Sequence, residues 1–165
     1  ALDECIPPLR NVPHLGGEDR GPDHLAEAGT PVVVHASGGP VGNDHTGPGP
    51  MRKLMERHPR LTAVIAHMGA PEYTGFVEIA TDYDRVHLDT TMAFTDFFEE
   101  MAAFPADLRP RLRDLQDRVL LGSDFPNIPY PYAHQLAALH RLDLGEDWLR
   151  AVLWHNGARL FTIEA

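Results

Sequence analysis

Two histidines and one aspartate occupy matching places in this chain, where an apolar run gives way to a turn. The segments are VVVHASGG with His35, VIAHMGAP with His67, and LLGSDFPN with Asp124. Two imidazoles and a carboxylate are donors that suit a borderline divalent ion such as zinc, with manganese as the other choice. Such an ion lowers the pKa of its bound water toward ~7 and supplies hydroxide at neutral pH. A lone histidine at such a junction is most often a hydrogen-bonded structural residue, and Asp124 alone reads equally well as a turn former. Three of them at three equivalent junctions argue for one shared site. His45, beside Asp44 in the loop after the first run, is a further candidate for touching substrate. His87 and Asp89 alternate on one strand and point to the same side, where a structural hydrogen bond is the better reading. Asn156 and Arg159 are read as docking the last helical turn. The segment Tyr130-Pro131-Tyr132 suits a pocket wall or simple packing.

The elements that position these residues follow from the apolar runs. Residues 31–35 (PVVVH), 61–67 (LTAVIAH), 85–89 (RVHLD) and 118–121 (RVLL) are short, rich in Val, Ile and Leu, and bounded by turn residues. That pattern marks strands buried on both faces, as in a parallel sheet. Helical stretches lie between them, over 23–28, 50–57, 72–82, 95–103, 107–115, 132–142, 146–153 and 156–161, and residues 1–22 read as a loop and helix leading into the sheet. Strand and helix alternate, which predicts right-handed βαβ units. A parallel sheet puts every strand C-terminus on one face, so His35, His67 and Asp124 are expected to converge there. The Gly/Pro-rich loop ASGGPVGNDHTGPG matches no phosphate-binding fingerprint and reads as the rim of a site.

Composition limits the remaining options. The chain has 165 residues, enough for a single domain over 1–165 with a real core, and 43% of them are hydrophobic. Fourteen basic against 24 acidic residues give a net charge of −10. An acidic chain is a poor partner for nucleic acid or an anionic membrane, and no basic run is present. The single cysteine, Cys5, cannot close an internal disulfide and fits a reducing compartment. No apolar run approaches the ~20 residues of a membrane span, and the first residues do not read as a signal peptide. A cytoplasmic protein is expected.

The segments PVVVHASGG, VIAHMGAP and VLLGSDFPN, in that order, resemble the second amidohydrolase family. This group includes relatives of aminocarboxymuconate-semialdehyde decarboxylase and of pyrone-dicarboxylate lactonase. The segment LWHNGARLF resembles the family's terminal helix, and GSDFP is the most specific element. The resemblance spans residues 31–161. It implies an α/β fold of the (β/α)8 TIM-barrel type, with the last four βα units, strands five to eight, present here. It implies a metal-dependent hydrolase or nonoxidative decarboxylase acting on a small organic acid or ring compound. By resemblance His35 is a metal ligand. His67 is a second ligand or an acid/base group, and Asp124 ligates the metal or handles the water proton. The family's first strand supplies a His-x-His pair, and no His-x-His occurs in this sequence. The alternative reading is therefore a catalytically silent half-barrel that needs an N-terminal half or a partner chain. Four strands leave open edges and an apolar inner face, so a homo-oligomer or a complementary N-terminal half is expected to cover them.

Overall fold

β-Branched runs too short for a helix and bounded by turn residues form the strands. In the computed structural model of the protein, which describes residues 21–39 and 42–162, these are β1 (Val32–Val34), β2 (Ala63–Ile65), β3 (Val86–Asp89) and β4 (Val119–Leu120). They form one parallel sheet in the order β1-β2-β3-β4. The four expected strands are all found, slightly shortened at their ends. The reading of residues 1–22 falls mostly outside the described residues.

The register sorts the side chains onto two faces. Val32 and Val34 share a face with Ala63, Ile65, Val86, Leu88 and Val119. This face carries the core, packed against Phe76, Ile79, Leu112, Leu139 and Trp148 from the helical layer. The opposite face carries Val33, Val64, His87, Asp89 and Leu120. Val33 is 57% exposed in the middle of its strand. Trp154 and Phe161 flank a cavity of about 240 Å³ on this second face, together with Val33, Val64 and Leu120.

The helices are α1 (Gly21–Ala28), α2 (Pro48–Arg57), α3 (Tyr73–Asp82), α4 (Asp96–Glu99), α5 (Arg111–Asp114), α6 (Tyr132–Arg141), α7 (Glu146–Arg150) and α8 (Asn156–Leu160). Proline in its first positions starts α2, where a missing N–H costs nothing. Thr95 caps α4 by accepting from the Phe98 N–H. Three expected helices differ in form. The stretch 95–103 is helical only over α4, and 107–115 is a 3-10 turn (Ala106–Leu108) followed by α5. Pro105 and Pro110 punctuate that region and prevent one continuous helix. The stretch 146–153 is α7 widening into a π turn over Ala151–His155. The Val152 carbonyl in that turn accepts from Leu121 N–H at 3.0 Å, tying the C-terminal helices to the end of β4. No helix among the described residues is long and apolar enough to cross a membrane.

Candidate active site

Each site residue lies just past the end of a strand, where the ladder stops and the backbone turns. His35 follows β1, His67 lies in a 3-10 turn (Ala66–Gly69) directly after β2, and Asp124 lies four residues after β4. The backbone there is strained. His67, Met68 and Asp124 have φ of 56°, 55° and 56°, and Met92 and Phe94 beyond β3 have 55° and 68°. Residues with a Cβ avoid this left-handed region, and such strain collects where a fold over-determines a functional loop.

His35, His67 and Asp124 line one cavity of about 510 Å³. The rings of His35 and His67 meet edge to face with centroids 5.0 Å apart. Phe98 stacks on His67 at 5.9 Å. Met92, Phe98, Met101 and Ala102 make an apolar wall, and Glu72 adds a second carboxylate at the mouth. The expected convergence of the three polar residues is therefore observed.

Hydrogen bonds assign the tautomers. His67 Nδ1 lies 3.2 Å from the Thr91 carbonyl, which can only accept, so Nδ1 carries a proton and a neutral His67 offers Nε2. His35 Nε2 donates to the Gly39 carbonyl at 2.9 Å, with Ser37 Oγ farther away at 3.4 Å. Neutral His35 thus offers Nδ1. Glu72 holds the loop that carries Gly39, both carboxylate oxygens accepting from Gly38 N–H at 3.2 Å. A Cβ on Gly38 would lie 2.5 Å from Glu72 Oε1, so a larger residue there would displace the Glu72 carboxylate from the Gly38 N–H. Burial pushes the Tyr130 phenol above its ordinary value, and the Asp124 carboxylate adds to that, against a hydrogen bond with Thr95.

The other sequence candidates fall elsewhere. His45 is exposed on a turn, its N–H donating to Asn43 Oδ1 at 2.8 Å, and does not line the cavity. Tyr130 donates to Gln135 Oε1 at 3.1 Å instead of lining the cavity. Asn156 is buried and donates to the Gln116 and Val119 carbonyls at 2.7 Å, while Arg159 donates to the Asp117 carbonyl, so both dock the terminal turn as expected. His87 makes no hydrogen bond through its buried Nδ1, contrary to the structural bond expected there. Glu72, Asp89 and Gln135 were not read as site residues, and all three hold its loops.

In donor chemistry, two imidazoles and a carboxylate fit a divalent metal. In assembly they do not complete a site, since no group of three His, Cys, Asp or Glu among the described residues is gathered around a single ion position.

A parallel sheet with helices against one face and polar residues at its strand C-termini defines the α/β class in which barrel enzymes build their sites. The chain belongs to the Amidohydrolase family, whose profile matches residues 8–163. Among solved structures it is similar to a TIM-barrel protein from Bordetella bronchiseptica, at 22% identity and TM-score 0.70 over 86% of this chain and 48% of that one. It is similar to an amidohydrolase from Burkholderia multivorans with bound zinc, at 17% identity and TM-score 0.62 over 88% and 57%. It is also similar to 2,6-dihydroxybenzoate decarboxylase from Rhizobium, at 17% identity and TM-score 0.55 over 87% and 54%. These likenesses are of fold. The chain spans about half the length of these proteins. No curated protein matches it.

Proposed function

We propose that this chain supplies strand-end residues of a metal-dependent enzyme that hydrolyses, or decarboxylates without oxidation, a small organic acid or ring compound. One observation carries the reading: His35, His67 and Asp124, from the ends of three parallel strands, surround one cavity. Family membership supports it, as do fold neighbours that are a zinc-bound amidohydrolase and a decarboxylase. In this reading His35 and Asp124 would contribute to holding zinc or manganese, which when bound would supply an acidified water and a polarised substrate oxygen, and His67, with one free lone pair, would serve either as a further ligand or as the acid/base group.

The chain's own groups do the rest. Acting as the acid/base group and not as a ligand, His67 Nε2 takes a proton from water and passes it on. In hydrolysis the proton goes to the leaving oxygen or nitrogen; in decarboxylation carbon dioxide departs and the proton goes to the carbon that carried it. Asp124 accepts a hydrogen bond from the attacking water and orients it. Met92, Phe98 and Met101 seat the apolar body of the substrate and exclude bulk water. The remaining donors come from a further polypeptide segment, an N-terminal half or a second copy, seated on the sheet face that carries Val33. A reducing, cytoplasmic setting belongs to the same proposal.

The test is turnover of a panel of lactones, cyclic amides and carboxylated phenols by chelator-treated protein, with that further segment supplied and zinc or manganese restored. Acid production reports hydrolysis and carbon dioxide release reports decarboxylation. His35→Ala and Asp124→Ala are expected to abolish either signal. Undiminished turnover in both variants would refute the assignment.

A further inference from the structure

His67 sits in a backbone that residues with side chains avoid. His67 and Met68 have φ of 56° and 55°, and Gly69 follows at 77°. Glycine takes this conformation freely, but the other two must be held in it from outside the turn. The strand ladder has already ended at Ile65, so the His67 N–H has no strand carbonyl to meet. It donates to Asp89 Oδ1 at 3.1 Å. The same oxygen accepts from Thr91 N–H at 2.9 Å. The Thr91 carbonyl accepts in turn from His67 Nδ1 at 3.2 Å. One carboxylate therefore fixes the backbone of His67 directly and its ring through Thr91.

The surroundings are built for that carboxylate. Asp89 is 7% exposed. Gly122, the glycine of GSDFP, lies so close that a Cβ there would be 2.7 Å from Asp89 Oδ1. Gln135, fully buried, donates to the Thr90 carbonyl at 2.7 Å and the Ala93 carbonyl at 3.2 Å, which holds the turn containing Thr91. A charged acceptor binds N–H groups more strongly than a neutral one, and it serves two at once here.

We infer that Asp89 is the positioning residue of the site: it locks His67 in the Nδ1–H tautomer and presents the Nε2 lone pair to the cavity. The inference rests on the proposed role of His67, and its test has a readout that needs no turnover. Two-bond proton–nitrogen NMR of the nitrogen-labelled chain at neutral pH reports which ring nitrogen carries the proton. In the unaltered chain His67 is expected to be protonated at Nδ1. Finding the proton on Nε2 would overturn the inference without any variant. In Asp89→Ala the ring is expected to populate both tautomers, and kcat to fall about 10- to 100-fold with KM little changed, the loss typical of an orienting partner. Asp89→Asn keeps an acceptor oxygen and is expected to preserve the tautomer and recover part of kcat. A pure Nδ1–H tautomer in folded Asp89→Ala would show that Asp89 is merely structural. Should Asp89→Ala fail to fold, a mixed tautomer in Asp89→Asn would count against the inference, and a preserved one for it. The expected tautomer without turnover on any substrate, even after the completing segment is supplied, would sink the proposed function and leave the role of Asp89 standing.

Discussion

His87 offers the sharpest test of how the sheet's second face behaves. Its ring lies beside Val64 on the sheet face opposite the main core, and its Nδ1 is buried without a partner among the described residues. Burial, helped by the positive charges of Arg118 and Arg159, lowers its pKa from 6.5 to about 4. Between those two values the unfolded chain binds a proton that the folded chain refuses. Stability is therefore complete above pH 6.5 and is lost progressively as the pH falls toward 4. The gap is worth at most about 3.5 kcal/mol, at roughly 1.4 kcal/mol per tenfold change in acidity. The ring keeps some contact with solvent, which reduces this to about 2 kcal/mol. The perturbation is His87→Leu, which fills similar space and cannot titrate. Urea unfolding, followed by the fluorescence of buried Trp148, is measured at about pH 7.5 and about pH 4.5. The unaltered chain is expected to lose about 2 kcal/mol more than the variant between the two. At the higher pH the variant is expected to be at least as stable, because it no longer buries an unpaired nitrogen. An equal loss in both proteins would refute the reasoning.

Three further outcomes are expected. Metal analysis after dialysis should find substoichiometric zinc in this chain alone, because the three candidate ligands are not gathered around one ion; tightly held, equimolar metal would contradict this. Sedimentation should show a species heavier than the 18.3 kDa chain, since Val33, Trp154 and Phe161 form an apolar face left open among the described residues; a stable monomer would contradict it. Gln135→Ala should cost about 2–4 kcal/mol in urea unfolding, because two carbonyls lose their buried donor; a cost within about 0.5 kcal/mol would mean that water replaces the amide without penalty.

The sequence carried the strands plainly because a buried parallel strand needs a continuous apolar run, and 61–67 and 118–121 contain little else. It carried His35, His67 and Asp124 because parallel strands fix where their ends must meet. It did not carry the hydrogen bonds that hold those ends. Asp89 was visible as a strand-end carboxylate, but nothing local says that its acceptor oxygen serves the amides of His67 and Thr91. Glu72 follows His67 by five residues, yet its partner is Gly38, on another loop. Gln135 reads as an ordinary helical glutamine until the turn it supports is seen. Pairings across loops have no period, so pattern reading misses them. The shortened helices at 95–103 and 107–115 have a nearer cause, since Pro105 and Pro110 were there to be read.

The bond between His35 and Gly39 sets a competition for that ring. In the resting chain Nε2 is occupied by a carbonyl of its own loop, held in place through Gly38 by Glu72. A ligand that needs Nε2 must capture a population in which this bond is open. With a net value of about 1 kcal/mol, the open form is roughly one molecule in six, and apparent affinity drops by the same factor. A ligand that approaches Nδ1 pays no such tax. The loop after the first strand therefore acts as a selector of approach direction: it favours ligands that take His35 from its Nδ1 side, with the choice made before any ligand arrives.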